Sequence, residues 1–363
     1  MNLSPAKRRI VDIRAHMTAL PEGFSSDTIK LCSNESSFGP APGVIDAAEK
    51  AVRRMQFYAE QGTGELQEAI AQREGIDPYR IVCGPGSDEL LSRLCRAYLG
   101  VGDELLYTIN GYAKFSNYGL ANDAMPVRVP DADFRVSVDN LLASVTPKTR
   151  MVMVANPDNP TGSWLPHSEI VRLHAGLPES VLLVLDSAYA EYVDDPNYAV
   201  PSALVEGHDN VVMTRTFSKI HGLAGLRLGW LYGPAEIVEI LRRIGPTFPI
   251  SNIALDCGIA AMDSGDYPEE IKQLNRSLRN ELRDGMRSLG LYPLESQTNF
   301  VLIGFPEDGP DALKITEALW ERKIMVRCFP NPILINYIRV SIGTEEEMAL
   351  FHSAMRTCLD ELC

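Results

Sequence analysis

Lys219 stands at the end of an apolar run, in the stretch Thr214-Arg-Thr-Phe-Ser-Lys219-Ile-His-Gly-Leu-Ala-Gly-Leu-Arg227. A lysine that ends a buried strand reaches the crevice where α/β folds bind their ligands. Taken alone it reads as a solvated surface lysine, the common state of that residue. Upstream, Leu183-Val-Leu-Asp186-Ser-Ala-Tyr189 puts a carboxylate at the end of a second apolar run, with a tyrosine three residues on. A buried carboxylate needs a partner. Two readings of Asp186 stand: a cap on the following helix, or the partner of a protonated heterocyclic nitrogen that turns the ring into an electron sink. A third run leads into Asn156-Pro-Asp-Asn159-Pro-Thr-Gly162, where two X-Pro bonds and a glycine shape a turn that offers the Asn159 amide to a ligand. A fourth leads into Gly84-Pro-Gly86-Ser87-Asp88-Glu89, whose glycines and helix start suit an anion. No lysine follows these glycines and the spacing is not GxGxxG, so neither nucleotide-loop pattern applies.

The elements that must hold these residues are short apolar strands alternating with amphipathic stretches. Strands are expected at Tyr79–Cys83, Glu104–Ile109, Met125–Val129, Arg150–Ala155, Val181–Leu185, Asn210–Thr214 and Leu226–Tyr232, with a helix over Ser87–Leu99. Runs apolar on both faces and separated by helices indicate a largely parallel, doubly covered sheet. Beyond Pro249 the pattern changes: a long helix over Glu269–Leu289, a strand at Asn299–Gly304, a helix over Asp311–Lys323, strands at Ile324–Arg327 and Tyr337–Ile342, and a last helix from Thr344. The expected fold class is α/β, with a large domain over 31–254 that carries the four segments above. A smaller α+β domain is expected from 1–30 and 255–363.

The 363 residues carry 34 Lys plus Arg against 48 Asp plus Glu, a net charge of −14. That field argues against a nucleic-acid partner, while a local arginine cluster can still hold an anion. The seven cysteines, at 32, 83, 95, 257, 328, 358 and 363, are odd in number and contain no CxxC, so reduced thiols and no metal are expected. The basic start of the chain has no long apolar segment, and no run reaches about 18 apolar residues. The expected location is the cytoplasm, with no membrane partner.

In this order, GPGSDE, Tyr112, NPDNPTG, DSAY and RTFSKIHGLAGLRLG make the chain resemble the fold-type I pyridoxal phosphate aminotransferases of class I/II. Within them it is most similar to the histidinol-phosphate aminotransferases. The similarity runs from Leu31-Cys-Ser-Asn34-Glu-Ser-Ser-Phe-Gly-Pro to Ile338-Arg-Val-Ser-Ile-Gly-Thr344. The resemblance implies pyridoxal 5'-phosphate as cofactor and a mostly parallel seven-stranded sheet in the large domain. Lys219 would form the Schiff base and move the substrate proton, Asp186 would pair with the pyridine nitrogen, and Tyr189 and Asn159 would bond the ring oxygen. Tyr112 would stack on the ring, although as a bare residue it reads equally as a core tyrosine. Gly86, Ser87, Asp88, Thr216, Ser218 and Arg227 would hold the phosphate. Tyr58 would reach the phosphate of a neighbouring subunit, which implies a homodimer with shared sites. Asn34, Arg327 and Arg339 would bind substrate, Arg339 at a carboxylate and Arg327 at a second anion; the other reading of Arg327 is an exposed helix-end residue.

Three segments depart from the family pattern. Asp12–Leu20 has no tyrosine where the family carries a PYxPG-like stretch; Ile244–Asn252 replaces RxPFNV; and Tyr58-Ala-Glu-Gln-Gly62 replaces YPDG. The implied activity is ping-pong transfer of an amino group from histidinol phosphate, or a similar aromatic donor, to 2-oxoglutarate, a step of histidine biosynthesis. An aminotransferase for another aromatic or acidic amino acid, and a decarboxylase on the same scaffold, remain as alternatives. A cofactor-binding regulator is a third, and the roughly thirty residues ahead of Leu31 are too few for a helix-turn-helix domain.

Overall fold

The computed structural model describes residues 13, 24–59 and 62–362. In chain order its strands are β1 (Ile29–Lys30), β2 (Ile81–Gly84), β3 (Glu104–Thr108), β4 (Met125–Val129), β5 (Thr149–Ala155), β6 (Leu182–Asp186), β7 (Val211–Thr216), β8 (Gly229–Tyr232), β9 (Tyr292–Pro293), β10 (Phe300–Gly304), β11 (Ile324–Met325), β12 (Arg327–Cys328) and β13 (Tyr337–Ser341). The helices are α1 (Pro42–Val52), α2 (Gly64–Glu74), α3 (Ser87–Tyr98), α4 (Lys114–Ala121), α5 (Val138–Ala143), α6 (His167–Gly176), α7 (Ser202–Gly207), α8 (Ala235–Ile244), α9 (Asn252–Met262), α10 (Tyr267–Ser288), α11 (Ala312–Glu321) and α12 (Glu345–Leu362).

The large sheet has seven strands in the order β2-β8-β7-β6-β5-β3-β4. All its pairings are parallel except those of β8, which runs antiparallel to both β2 and β7. Every residue of β6 and β7 is buried, as expected for strands covered on both faces. The alternation shows which face each side chain serves. Val152, Val154, Leu183, Leu185, Val211 and Met213 join one core. Met151, Met153, Leu182, Val184 and Val212 join the other, against α3 and α8. A fully buried aliphatic side chain contributes about 1.5–3 kcal/mol, so these two layers fix the carboxyl ends of β5, β6 and β7 at one edge. A second sheet, β12-β13-β10-β9, is covered by α10, α11 and α12 around Leu278, Val301, Ile338 and Phe351.

Three strand expectations change, the first being the one over Tyr79–Cys83, which begins at Ile81 after a 3-10 turn over Pro78–Arg80. The strand expected over Leu226–Tyr232 begins only at Gly229, because Ala224–Leu226 form a 3-10 turn and Arg227 adopts a left-handed φ of 51°. The single strand expected over Ile324–Arg327 is two. β11 pairs in parallel with β1, and β12 pairs with β13, so the chain changes sheets at Val326. The boundary drawn between 254 and 255 cuts through α9, whose Ala254, Leu255, Cys257, Ala261 and Met262 pack into the core of the large sheet. Leu31, in turn, packs with the second sheet. Of the N-terminal segment expected there, residues 1–12 and 14–23 lie outside the described residues.

Cys83, Cys95, Cys257 and Cys358 are buried free thiols, and Cys32 and Cys328 are partly exposed ones; Cys363 lies outside the described residues. Among the described residues no helix is long and apolar enough to cross a membrane.

At the carboxyl edge of the sheet, Gly229 lies between Gly84 and Thr216. It has no room for a side chain: a Cβ there would stand 2.7 Å from the Gly86 carbonyl carbon and closer still to the Ser87 nitrogen. Gly229→Ala is therefore expected to push the start of α3 off the sheet and to cost about 1–3 kcal/mol. The urea midpoint reads this loss; an unchanged midpoint would show that the turn backs away freely.

Candidate active site

β7 ends at Thr216, and the turn after it carries Lys219 toward the segment that follows β1. The Lys219 ammonium donates to the Asn34 carbonyl at 3.1 Å and to the Ser33 carbonyl at 3.4 Å. It stands 5.5 Å from the centre of the Tyr189 ring. Burial, then the guanidiniums of Arg339 and Arg227, pull its pKa down to about 8, with Glu35 and Asp186 acting in the opposite direction. At neutral to mildly basic pH this amine is therefore partly unprotonated, the state that can act as nucleophile or base.

Asp186 ends β6, directly across from Thr214 on β7. Thr214 Oγ1 donates to its carboxylate at 2.9 Å. Burial raises the Asp186 pKa to about 6, against the lowering effect of that hydrogen bond. The helix-cap reading falls: the 3-10 turn that follows, Ala190–Tyr192, has no side-chain cap. What remains is a buried carboxylate in need of a cationic partner.

A chain of hydrogen bonds joins four segments around these two groups. The Tyr189 hydroxyl accepts from Asn34 Nδ2 at 3.0 Å and from Asn159 Nδ2 at 3.4 Å. Asn159 Oδ1 accepts from Arg339 Nη1 at 2.6 Å, and Arg339 Nη2 donates to the Cys32 carbonyl at 2.7 Å. Burial lowers the Arg339 pKa to about 10, with Tyr189 opposing and Arg327 reinforcing the shift. Arg327 on β12 lies directly opposite Arg339 on β13. Neither guanidinium is ion-paired among the described residues, so two cations share a face with no acid to neutralise them.

Beside them is a cradle for an anion. Gly86 caps α3 with a φ of +90°, and Ser87 begins the helix. The first amides of a helix have no internal acceptor, and the helix dipole favours negative charge there. A Cβ at Gly86 would lie 2.6 Å from Arg227 Nη2, so the guanidinium rests against the helix start. Arg227 Nη1 donates to Ser218 Oγ at 3.3 Å, and the Ser218 amide donates to Thr216 Oγ1 at 3.1 Å. The Asp88 side chain is turned to a different task. It accepts from the Tyr112 hydroxyl at 2.8 Å, from Lys114 at 3.2 Å and from the Tyr118 hydroxyl. Burial acts to raise its pKa, but these donors together leave it lowered.

Fourteen of the fifteen residues singled out from the sequence lie in these connected clusters: Asn34, Gly86, Ser87, Asp88, Tyr112, Asn159, Asp186, Tyr189, Thr216, Ser218, Lys219, Arg227, Arg327 and Arg339. Tyr58 does not join them. It is 69% exposed and its ring stacks on Phe248, with centroids 4.2 Å apart. The altered Asp12–Leu20 stretch lies, apart from Ile13, outside the described residues. Three residues escaped the sequence reading. Thr214 bonds Asp186, Ser341 bonds both the amide and the side chain of Asn34, and Asn299 Nδ2 donates to the Asn34 carbonyl at 3.1 Å. Thr214 was findable as the residue one strand over from Asp186. Asn299, at the mouth of a strand, carries no signal without the fold.

The family model for aminotransferase class I and II matches residues 26–354. The chain is 44% identical over 330 residues to a histidinol-phosphate aminotransferase of Granulibacter bethesdensis, covering 90% of this chain and 88% of that one. It is 42% identical over 356 residues to one of Paramagnetospirillum magneticum, covering 97% and 98%. Its fold matches the crystal structure of the histidinol-phosphate aminotransferase of Sinorhizobium meliloti in complex with pyridoxal-5'-phosphate, with a TM-score of 0.88, 33% identity and coverage of 93% and 92%. With the lysine, the carboxylate and the anion cradle meeting at one sheet edge, and with likeness running over nine-tenths of its length, the chain belongs to the class I and II aminotransferases.

Proposed function

We propose that the protein moves the amino group of histidinol phosphate, or of a similar aromatic donor, to 2-oxoglutarate in two successive half-reactions, with pyridoxal 5'-phosphate as cofactor. The observation that carries the substrate reading is the facing pair Arg327 and Arg339. Two guanidiniums without acids between them suit a dianionic phosphate on the donor and a carboxylate on the 2-oxo acid. The names of the relatives point the same way.

When bound, the cofactor supplies an aldehyde that condenses with amines and a ring that draws electrons from the carbon attached there. The residues present suit it. The Gly86, Ser87 and Asp88 amides, Thr216, Ser218 and Arg227 would hold its phosphate. The Asp186 carboxylate, short of a cation, would keep the ring nitrogen protonated. Tyr189 and Asn159 would bond the ring oxygen, and Tyr112, fixed through Asp88, would lie on the ring face. Lys219 Nζ, its pKa drawn toward neutrality, would hold the cofactor and then carry a proton to and from the substrate carbon. Asn34 and the two arginines would orient the substrate. The exposed Tyr58–Phe248 stack supports a homodimer in which Tyr58 serves the second copy's cofactor. We also propose the division into two lobes, with α9 assigned to the larger one.

Borohydride treatment of the yellow holoprotein is expected to fix the cofactor on the peptide containing Lys219, and Lys219→Ala to remove the visible band. Label on another lysine overturns the assignment.

Asp186 gives a prediction with opposite signs for stability and activity. Its folded pKa, about 6, exceeds the ordinary carboxylate value of 3.8, so ionisation costs stability as pH rises through that window and the cost is complete above it. Asp186→Asn is therefore expected to stabilise the cofactor-free protein at pH 8 by about 1–3 kcal/mol. The same change is expected to cut turnover by several orders of magnitude. Thermal unfolding and a donor assay read the two effects; unchanged turnover would make Asp186 purely structural.

For the substrate end, a donor screen with histidinol phosphate, phenylalanine and glutamate tests the reading. Arg339→Ala is expected to weaken every anionic substrate, by about 1.5–3 kcal/mol per charge-assisted bond lost. Arg327→Ala is expected to lower kcat/KM for histidinol phosphate and spare phenylalanine. Equal losses for both donors would make Arg327 a structural residue, and a screen won by another donor would displace histidinol phosphate.

A further inference from the structure

A polar cavity lined by three arginines and three acids shares no residue with the cluster around Lys219. Its volume is about 260 Å³, and it lies between α10 and the turn that leads into β10. Arg276, Arg279 and Arg283 line it from α10, with Asp194, Ser296 and Gln297 facing them. The spacing i, i+3, i+7 sets the three arginines on one face of the helix.

Arg276 and Arg279 are short of acceptors, and Asp194 Oδ2 beside them is itself buried without a hydrogen-bond donor. The Asp194 carboxylate is 3.3 Å from Lys272 but 3.8 Å from both Arg276 and Arg279, too far for a hydrogen bond. Arg279 is only 3% exposed, and its Nη1 donates to the Thr298 carbonyl at 3.1 Å. Its Nε, and that of Arg283, are buried with no acceptor. Arg283 and Arg287 both turn to a single oxygen of Glu295. Asp195 also lines the cavity, but one of its oxygens already accepts from the Asn197 amide. Burial pulls the Arg279 pKa down to about 10, and Arg283 and Arg276 add to that pull while Asp194 opposes it. Lys272, Arg276, Arg279, Arg283 and Arg287 thus crowd around three acids, Asp194, Asp195 and Glu295, in a polar recess where no carboxylate among the described residues comes within hydrogen-bond distance of Arg276 or Arg279, an arrangement that an added anion would relieve.

We infer that this cavity binds a small oxyanion, a phosphate or a carboxylate, through Arg276, Arg279 and Arg283. The planar forks of three guanidiniums match the oxygens of either group. The site would act on the reaction through the backbone. The Gln297 amide donates to the Gly162 carbonyl at 3.0 Å, and Gln297 Oε1 accepts from the Asp194 amide at 3.1 Å. Gly162 closes the turn that presents Asn159, and Asn299, two residues past Gln297, holds the Asn34 segment. An anion here would therefore bear on both loops that face Lys219 without touching the lysine.

The test titrates the holoenzyme with inorganic phosphate, and separately with malonate, at ionic strength held constant by chloride. The thermal midpoint is read for the natural protein, Arg276→Gln, Arg283→Gln and, as reference for the substrate arginines, Arg327→Gln. The expected result is a saturable rise in the natural protein and in Arg327→Gln, with half-saturation at least tenfold weaker in Arg276→Gln and Arg283→Gln. The anion that produces the rise identifies the class of ligand. If Arg283→Gln fails to fold, Arg276→Gln, at a more exposed position, carries the test. A rise undiminished in the α10 variants, a rise lost in Arg327→Gln, or no saturable rise with either anion overturns the proposal.

Discussion

The free energy of holding Lys219 beside Arg339 and Arg227 away from bulk water shapes the rest of the site. Three cations in one recess repel, and burial adds to the cost of each charge. The relief comes from the lysine, which gives up its proton most readily; a guanidinium retains its own. The surroundings keep this balance by offering mostly neutral acceptors. Lys219 meets two carbonyls, and Arg339 meets an amide oxygen and a carbonyl. A carboxylate placed directly on Arg339 would satisfy it permanently and close the position to any anionic substrate.

Much of this arrangement was readable in the chain before the fold was seen. Lys219, Asp186, Asn159 and Gly86 each follow an apolar run, and parallel strands in one sheet end at one edge. What could not be read was the company they keep from elsewhere. The alternation of Thr214 and Arg215 on β7 decides that the threonine faces Asp186. The arginine turns to the other side, where it pairs with Glu74 and Glu191. That choice depends on strand register, which no local signal sets. Asn299 and Ser341 are likewise defined by contacts across hundreds of residues. The antiparallel entry of β8 was hidden because its apolar run looks like any other strand. The packing of α9 against the large sheet was hidden in a similar way, since an apolar helix does not announce which sheet it covers.

The acidic balance of the whole chain and the basic character of its sites do not conflict. A net charge of −14 describes the distant field, which salt screens within about 10 Å. Binding is decided by what stands within a hydrogen bond of the ligand. The start of α3 beside Arg227 offers free amides, and Arg327 and Arg339 face each other without an ion pair among the described residues. The global sign sets the distant field, and the local sign sets what can approach these groups.

The amide of Asn159 has a direction. Its oxygen is turned to Arg339 and its nitrogen to Tyr189, so one planar group meets a donor on one side and an acceptor on the other. Aspartate would keep the first and could hold the second only by turning the Tyr189 hydroxyl into the donor; leucine would lose both; glutamine, one methylene longer, would have to buckle the turn between its two prolines. Few side chains can satisfy both demands at once. A change there alters the hydrogen bonding of Tyr189 and Arg339 together, so one side chain couples the two.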